Sequence, residues 1–163
     1  MTLTSEASCA VTLRGAGAAD ANFVFRCEAD RRPGFDSPGG TLAATHFQVW
    51  QFLSGYTHNY AATGQLLFII EAAGAPVGIL ELTADTAAGA STAHLGIYIS
   101  PTHRRHSYAT AALHALAAHC RTAFPAIHTL VATVAPTNTA SARLFSRAQF
   151  TRHDAQFTKA LHP

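Results

Sequence analysis

One stretch constrains the chain more than any other. It runs His94-Leu95-Gly96-Ile97-Tyr98-Ile99-Ser100, then Pro101-Thr102-His103-Arg104-Arg105-His106, then an Ala/Leu-rich run from Ser107 to Arg121. Leu95, Ile97 and Ile99 alternate with Gly96, Tyr98 and Ser100, which is the period of a strand. Pro101 ends it, because proline has no N–H for a ladder. Ala109, Ala112, Leu113, Leu116, Ala117 and Cys120 then recur at helical spacing, with Ser107 placed as the N-cap. A basic loop that feeds a helix N-terminus can hold an anion, since unpaired N–H groups and the positive end of the helix dipole point there. A solvated turn with surface arginines would have the same composition, so the loop alone leaves both readings open.

The rest of the chain sets the frame. With 163 residues, 48% apolar and 12% charged, it has the size and composition of one globular domain spanning 1–163. A net charge of +2, no basic run and a single lysine, Lys159, argue against a nucleic-acid partner. Ten histidines include no HExxH spacing and no Cys/His finger spacing, so no metal is expected. Cys9, Cys27 and Cys120 are odd in number and far apart, as in reduced intracellular thiols, although one disulfide pair stays open. No basic-then-apolar leader opens the chain and no apolar run is long enough for a bilayer, so a cytoplasmic location with no membrane contact is expected.

In chain order, 10–14 is a strand candidate and 18–29 a helix with Phe23, Val24 and Cys27 inward. Residues 31–40 carry loop signals, and 43–56 read as a second helix with Phe47, Trp50, Phe52 and Leu53 as apolar bulk. Strand runs at 66–71 and 76–82 flank a turn at 72–75. A small-residue connection over 83–91 then leads to the strand before the basic loop, which makes a three-strand antiparallel meander. A β-branched strand at 127–134, a short helix at 138–147, and strands at 150–152 and 156–161 complete the chain.

Three motifs stand in order: Arg104-Arg105-His106-Ser107-Tyr108-Ala109; Asn138-x-x-Ser141-x-x-Leu144-Phe145 followed by Phe150; and Pro76-Val77-Gly78-Ile79-Leu80-Glu81-Leu82. Together they resemble the GNAT (Gcn5-related N-acetyltransferase) superfamily, closest to its ribosomal-protein-alanine and spermidine acetyltransferase group. The resemblance implies a mixed α/β fold with a mostly antiparallel central sheet flanked by helices. It implies acetyl-CoA as co-substrate and a primary amine as acceptor: a protein N-terminus, a polyamine, an amino sugar or a small amine. Arg104, Arg105, His106, Ser107, Tyr108, Ala109 and Thr110 would hold the pyrophosphate. The strand residues Ile97, Tyr98 and Ile99 would hold the pantetheine arm through backbone groups of Tyr98 and Ile99, with Asn138, Ser141 and Phe145 on its other side.

This chain departs from the family pattern at three places. Ser107 and Gln149 stand where glycine is usual, and Phe145 stands where many relatives keep a tyrosine whose hydroxyl would protonate the leaving thiolate. Glu81 is then the candidate base and Ser141 or a nearby tyrosine the candidate acid, because acyl transfer needs both proton steps. Glu81 reads equally as an exposed strand residue, and Ser141 as a packing residue. Three functions remain open at this level: an N-acetyltransferase, monomeric or homodimeric; an acyl-CoA-binding module of the same fold without the chemistry; and an unrelated α/β protein whose loop binds phosphate or a nucleotide.

Overall fold

The computed structural model describes residues 10–30, 64–84 and 91–162. The expected helix at 43–56, the loop at 31–40, Cys9, and most of the 83–91 connection lie outside the described residues. Seven strands form one sheet: β1 (Val11–Gly15), β2 (Gln65–Ala72), β3 (Ala75–Ala84), β4 (Thr92–Ile99), β5 (Thr129–Thr133), β6 (Thr151–His153) and β7 (Gln156–Ala160). Their order is β1-β2-β3-β4-β5-β7-β6. Every neighbouring pair is antiparallel except β4 and β5. The helices among the described residues are α1 (Ala21–Asp30), α2 (Tyr108–Ala123) and α3 (Thr139–Arg147).

The apolar runs of β2 and β3 are continuous because both faces of the sheet are covered. Phe68, Ile70, Leu80, Leu82 and Leu95 pack with Leu113 and Leu116 of α2 and Phe145 of α3. Leu67, Ile69 and Ile79 point to the other face, under Val24 and Cys27 of α1. The turn between β2 and β3 places Ala73 and Gly74 at φ 49° and 77°. Positive φ at both central residues is the hairpin geometry that matches strand twist.

The expected elements are present with shifted ends. β3 runs on to Ala84 rather than ending at Leu82, and β5 is shorter than 127–134. The helix expected over 18–29 begins as a 3-10 turn at Ala18–Asp20 before α1. That turn is held by charge. Asp20, buried at 8% exposure, takes two hydrogen bonds of 2.8 Å from the Arg14 guanidinium and one from the Gly17 N–H. Arg14 also reaches Glu71 on β2 at 2.8 Å. The Arg14 contacts hold the Asp20 carboxyl below the usual carboxylate range, against the opposing effect of burial.

Candidate active site

The sheet splits in its middle. β4 stays paired with β3 from Ala93 opposite Ala84 to Ile99 opposite Gly78. Its contact with β5 covers only Thr92, Ala93 and His94, opposite Thr129, Leu130 and Val131. β5 continues beside β7 to Thr133, and the Val134 N–H still donates to the Ala155 carbonyl. Past His94 and Val131 each half keeps its own outer partner, so a wedge opens between residues 95–99 and 132–134.

The register decides which backbone groups face that wedge. Hydrogen-bonded and non-bonded residues alternate along an antiparallel pair. The Ser100 N–H donates to the Val77 carbonyl, so Tyr98 and Gly96 also turn their N–H and C=O toward β3. Leu95, Ile97 and Ile99 turn theirs into the wedge. The Ser91 carbonyl, of the same parity, accepts from His128 and Thr129 on the β5 side. The wedge-facing backbone groups are therefore those of Ile97 and Ile99, while those of Tyr98 pair with β3.

The basic loop closes the mouth of the wedge. After a 3-10 turn at Pro101–His103, Arg105 and Ser107 adopt φ 65° and 59°. Ser107 precedes α2 as expected, and its carbonyl accepts from the Ala111 N–H at 3.1 Å. Its hydroxyl makes no capping bond. The N–H groups of Tyr108, Ala109 and Thr110 open the helix, where none has an intrahelical partner. Arg104 Nε donates to the Ile99 carbonyl at 3.1 Å, and its guanidinium lies 5.5 Å from the Tyr98 ring centroid. His106 stacks on Tyr108 at 5.3 Å, and its Nδ1 lies 3.2 Å from the His103 carbonyl. Arg104, Arg105, His106 and Ser107 are exposed.

On the β5 side, much of the second motif turns out to build a helix. Asn138 Oδ1 accepts from the Ser141 N–H at 3.1 Å, which makes Asn138 the N-cap of α3 and leaves its amide nitrogen as a donor. At the other end Gln149, at φ 64°, donates to the Ser146 carbonyl, and Phe150 N–H donates to Phe145 C=O. This is a Schellman ending, complete with its hydrophobic contact, since Phe145 and Phe150 meet edge to face at 5.2 Å. Phe145 is 4% exposed and also touches Phe157 at 5.7 Å. It is a core residue with almost no surface to offer a cofactor, and it carries no proton.

Glu81 lies opposite Gly96 on β4 and Leu67 on β2, on the α1 face of the sheet. The Glu81 carboxylate is half-buried. Ser141 belongs to α3, on the opposite face. The two candidate proton-transfer groups can meet only through the wedge. The sequence left the tyrosine alternative unassigned to a residue. Tyr98 Oη is buried with no hydrogen-bond partner among the described residues, and burial pushes its pKa up, so it stays neutral. Strand alternation puts that ring on one face, but only the packed structure shows the hydroxyl to be unpaired.

A family model, the acetyltransferase (GNAT) domain, matches residues 10–151. The chain belongs to the GNAT acetyltransferase family. Among solved structures, the aminoglycoside acetyltransferase AAC(6')-Ib in complex with coenzyme A superposes with a TM-score of 0.72 at 15% identity, over 93% of this chain and 95% of that one. A chimera of spermidine N-acetyltransferase SpeG from Vibrio cholerae and hSSAT gives 0.76 at 16%, over 93% and 95%. A GNAT-family acetyltransferase from Streptococcus pneumoniae gives 0.73 at 18%, over 94% and 100%. At these identities the likeness is one of fold. No curated protein matches the sequence. Like other members, this GNAT chain is an acetyltransferase of mixed α/β architecture. Among the described residues no group of His, Cys, Asp and Glu side chains could hold a metal, and no helix is long and apolar enough to cross a membrane.

Proposed function

We propose that the chain is a single-domain N-acetyltransferase that takes its acetyl group from acetyl-CoA and gives it to a primary amine. The observation that carries this reading is the wedge with the α2 N-terminus at its mouth. An extended amide-bearing arm needs a free strand edge, and Ile97 and Ile99 provide one. A pyrophosphate needs converging N–H donors and cations, and residues 104–110 provide them. Asn138 would hold the arm from the other side through its free amide nitrogen.

In the reaction a C–N bond forms as the thioester C–S bond breaks. The amine must lose a proton, and the thiolate must gain one. Glu81 is the proposed base, acting on the acceptor from the α1 face. The wedge-facing Ile97 N–H would support the developing oxyanion. Ser141 is the proposed acid in place of the hydroxyl that Phe145 lacks. The acceptor range stays a protein N-terminus, a polyamine, an amino sugar or a small amine. The buried thiols of Cys27 and Cys120 fit a reducing, cytoplasmic setting.

The test is acetyl-CoA-dependent thiol release over a panel containing spermidine, kanamycin, an alanine-amide peptide and simple monoamines. Acceptor-dependent release supports the reading. Tight acetyl-CoA binding without release for any amine would favour the non-catalytic module. For the active amine, Glu81→Gln should lower the rate most at moderate pH. The deficit should shrink as rising pH deprotonates the amine unaided, and a pH–rate profile matching wild type would remove Glu81 from its role.

A further inference from the structure

Arg104, at the mouth of the wedge, is already engaged. By the β4 register the Ile99 carbonyl points into the wedge, where an amide N–H of a pantetheine arm would look for an acceptor. Arg104 Nε occupies that carbonyl at 3.1 Å, and its guanidinium rests 5.5 Å from the Tyr98 ring centroid, within cation–π range. Arg104 is exposed, and among the described residues no carboxylate pairs with it. Arg105 next to it is exposed and makes no hydrogen bond or ring contact among the described residues.

We infer that Arg104 is a donor-specificity residue, which covers the wedge edge until a phosphate draws it away. The inference rests on the acetyl-CoA reading above. A thioester donor without phosphates must break the Arg104–Ile99 bond and the ring contact to reach the strand edge, and nothing replaces them. A donor with a pyrophosphate offers the guanidinium charge-assisted bonds at the α2 N-terminus, and its arm then takes the freed carbonyl. Discrimination of this kind works through a penalty against the wrong ligand as well as attraction to the right one. It makes one side chain act with opposite sign on two donors that carry the same reacting group.

The experiment is calorimetry with acetyl-CoA and with S-acetylpantetheine, which has the thioester and both amides but no phosphate. It uses the full chain as wild type, Arg104→Ala and Arg105→Ala. In Arg104→Ala the acetyl-CoA affinity should fall about ten-fold or more, through loss of a charge-assisted phosphate contact. S-acetylpantetheine affinity should rise about three- to ten-fold, the scale of one competing hydrogen bond. Arg105→Ala should weaken acetyl-CoA and leave S-acetylpantetheine unchanged. If Arg104→Ala does not fold, Arg104→Met, which keeps the stem over Tyr98, carries the same expectations. S-acetylpantetheine binding to the Arg104 variant that is unchanged, weaker or undetectable overturns the specificity role. A wild type that binds no acetyl-CoA overturns instead the donor reading beneath it.

Discussion

Two residues hold the left-handed conformation where the family pattern carries glycine: Ser107 at φ 59° and Gln149 at φ 64°. An L side chain there costs roughly 1–2 kcal/mol, part of which glycine returns through its freer unfolded state. The departures were visible in the sequence, but their sign was not. Read as an N-cap, Ser107→Gly would lose a few tenths of a kcal/mol. With no capping bond from its hydroxyl and a positive φ, the same change should stabilise. We expect Ser107→Gly and Gln149→Gly each to add about 0.5–1 kcal/mol, or about 1–4 °C in melting temperature. Acetyl-CoA affinity of Ser107→Gly should be at least that of wild type. A lower melting temperature in both would mean that the side chains make compensating contacts. Cys120 offers a second check. Burial pushes its thiol up to about 11, so at pH 8 only on the order of one molecule in a thousand carries the reactive thiolate. A disulfide reagent should leave Cys120 untouched until the protein is denatured, as peptide mapping of the labelled protein would show.

Where whole elements meet, two contacts do most of the positioning. Arg14 ties β1 to β2 and to the turn that starts α1. Because the Asp20 carboxyl is depressed, its contribution is fully present above the unfolded value of about 3.9 and is lost as pH falls through the lower folded value. Arg14→Ala should therefore be less stable than wild type at pH 7, and the gap should close in acid. Urea titrations at pH 7 and pH 3 measure this, and a gap that does not narrow between them would assign the loss to packing. Between β3 and β4 the close approach is at Gly78. A Cβ there would overlap the Tyr98 carbonyl and lie 2.8 Å from Ile99 Cδ1 and 3.2 Å from Ile99 Cα. Gly78→Ala should cost about 1–3 kcal/mol by overpacking, and it displaces the very stretch whose other edge lines the wedge. Its acetyl-CoA affinity should fall even at temperatures where the variant is fully folded, as calorimetry would show. The helix motif teaches caution at this scale. Asn138, Phe145 and Phe150 look like a catalytic signature in sequence, yet their clearest structural work is to start and stop α3.

For the molecule as a whole, the meander was legible because each strand carries its own signal: apolar runs, a Gly-containing turn, and a proline at the exit. The wedge was not legible. It depends on where β4 stops pairing with β5, and those strands are about thirty residues apart with a helix between them. Nor could a period of two say which half of β4 faces β3, and that parity turns the backbone of Ile97, not of Tyr98, toward the wedge. The parity can be tested without knowing the acceptor. Acetyl-CoA at about a hundred times its dissociation constant should stabilise the chain by about 2.7 kcal/mol, a rise of about 5–10 °C for a domain of this size. Free CoA should do nearly as well, because the loop and the strand edge hold the part the two ligands share. Hydrogen exchange should report the register residue by residue. The Ile97 and Ile99 amides, which face the open wedge, should exchange more slowly once the arm is bound. The Tyr98 amide between them is already bonded across to β3 and should gain little. Protection that appears at Tyr98 and skips Ile97 and Ile99 would show that the arm does not lie along this edge of the sheet.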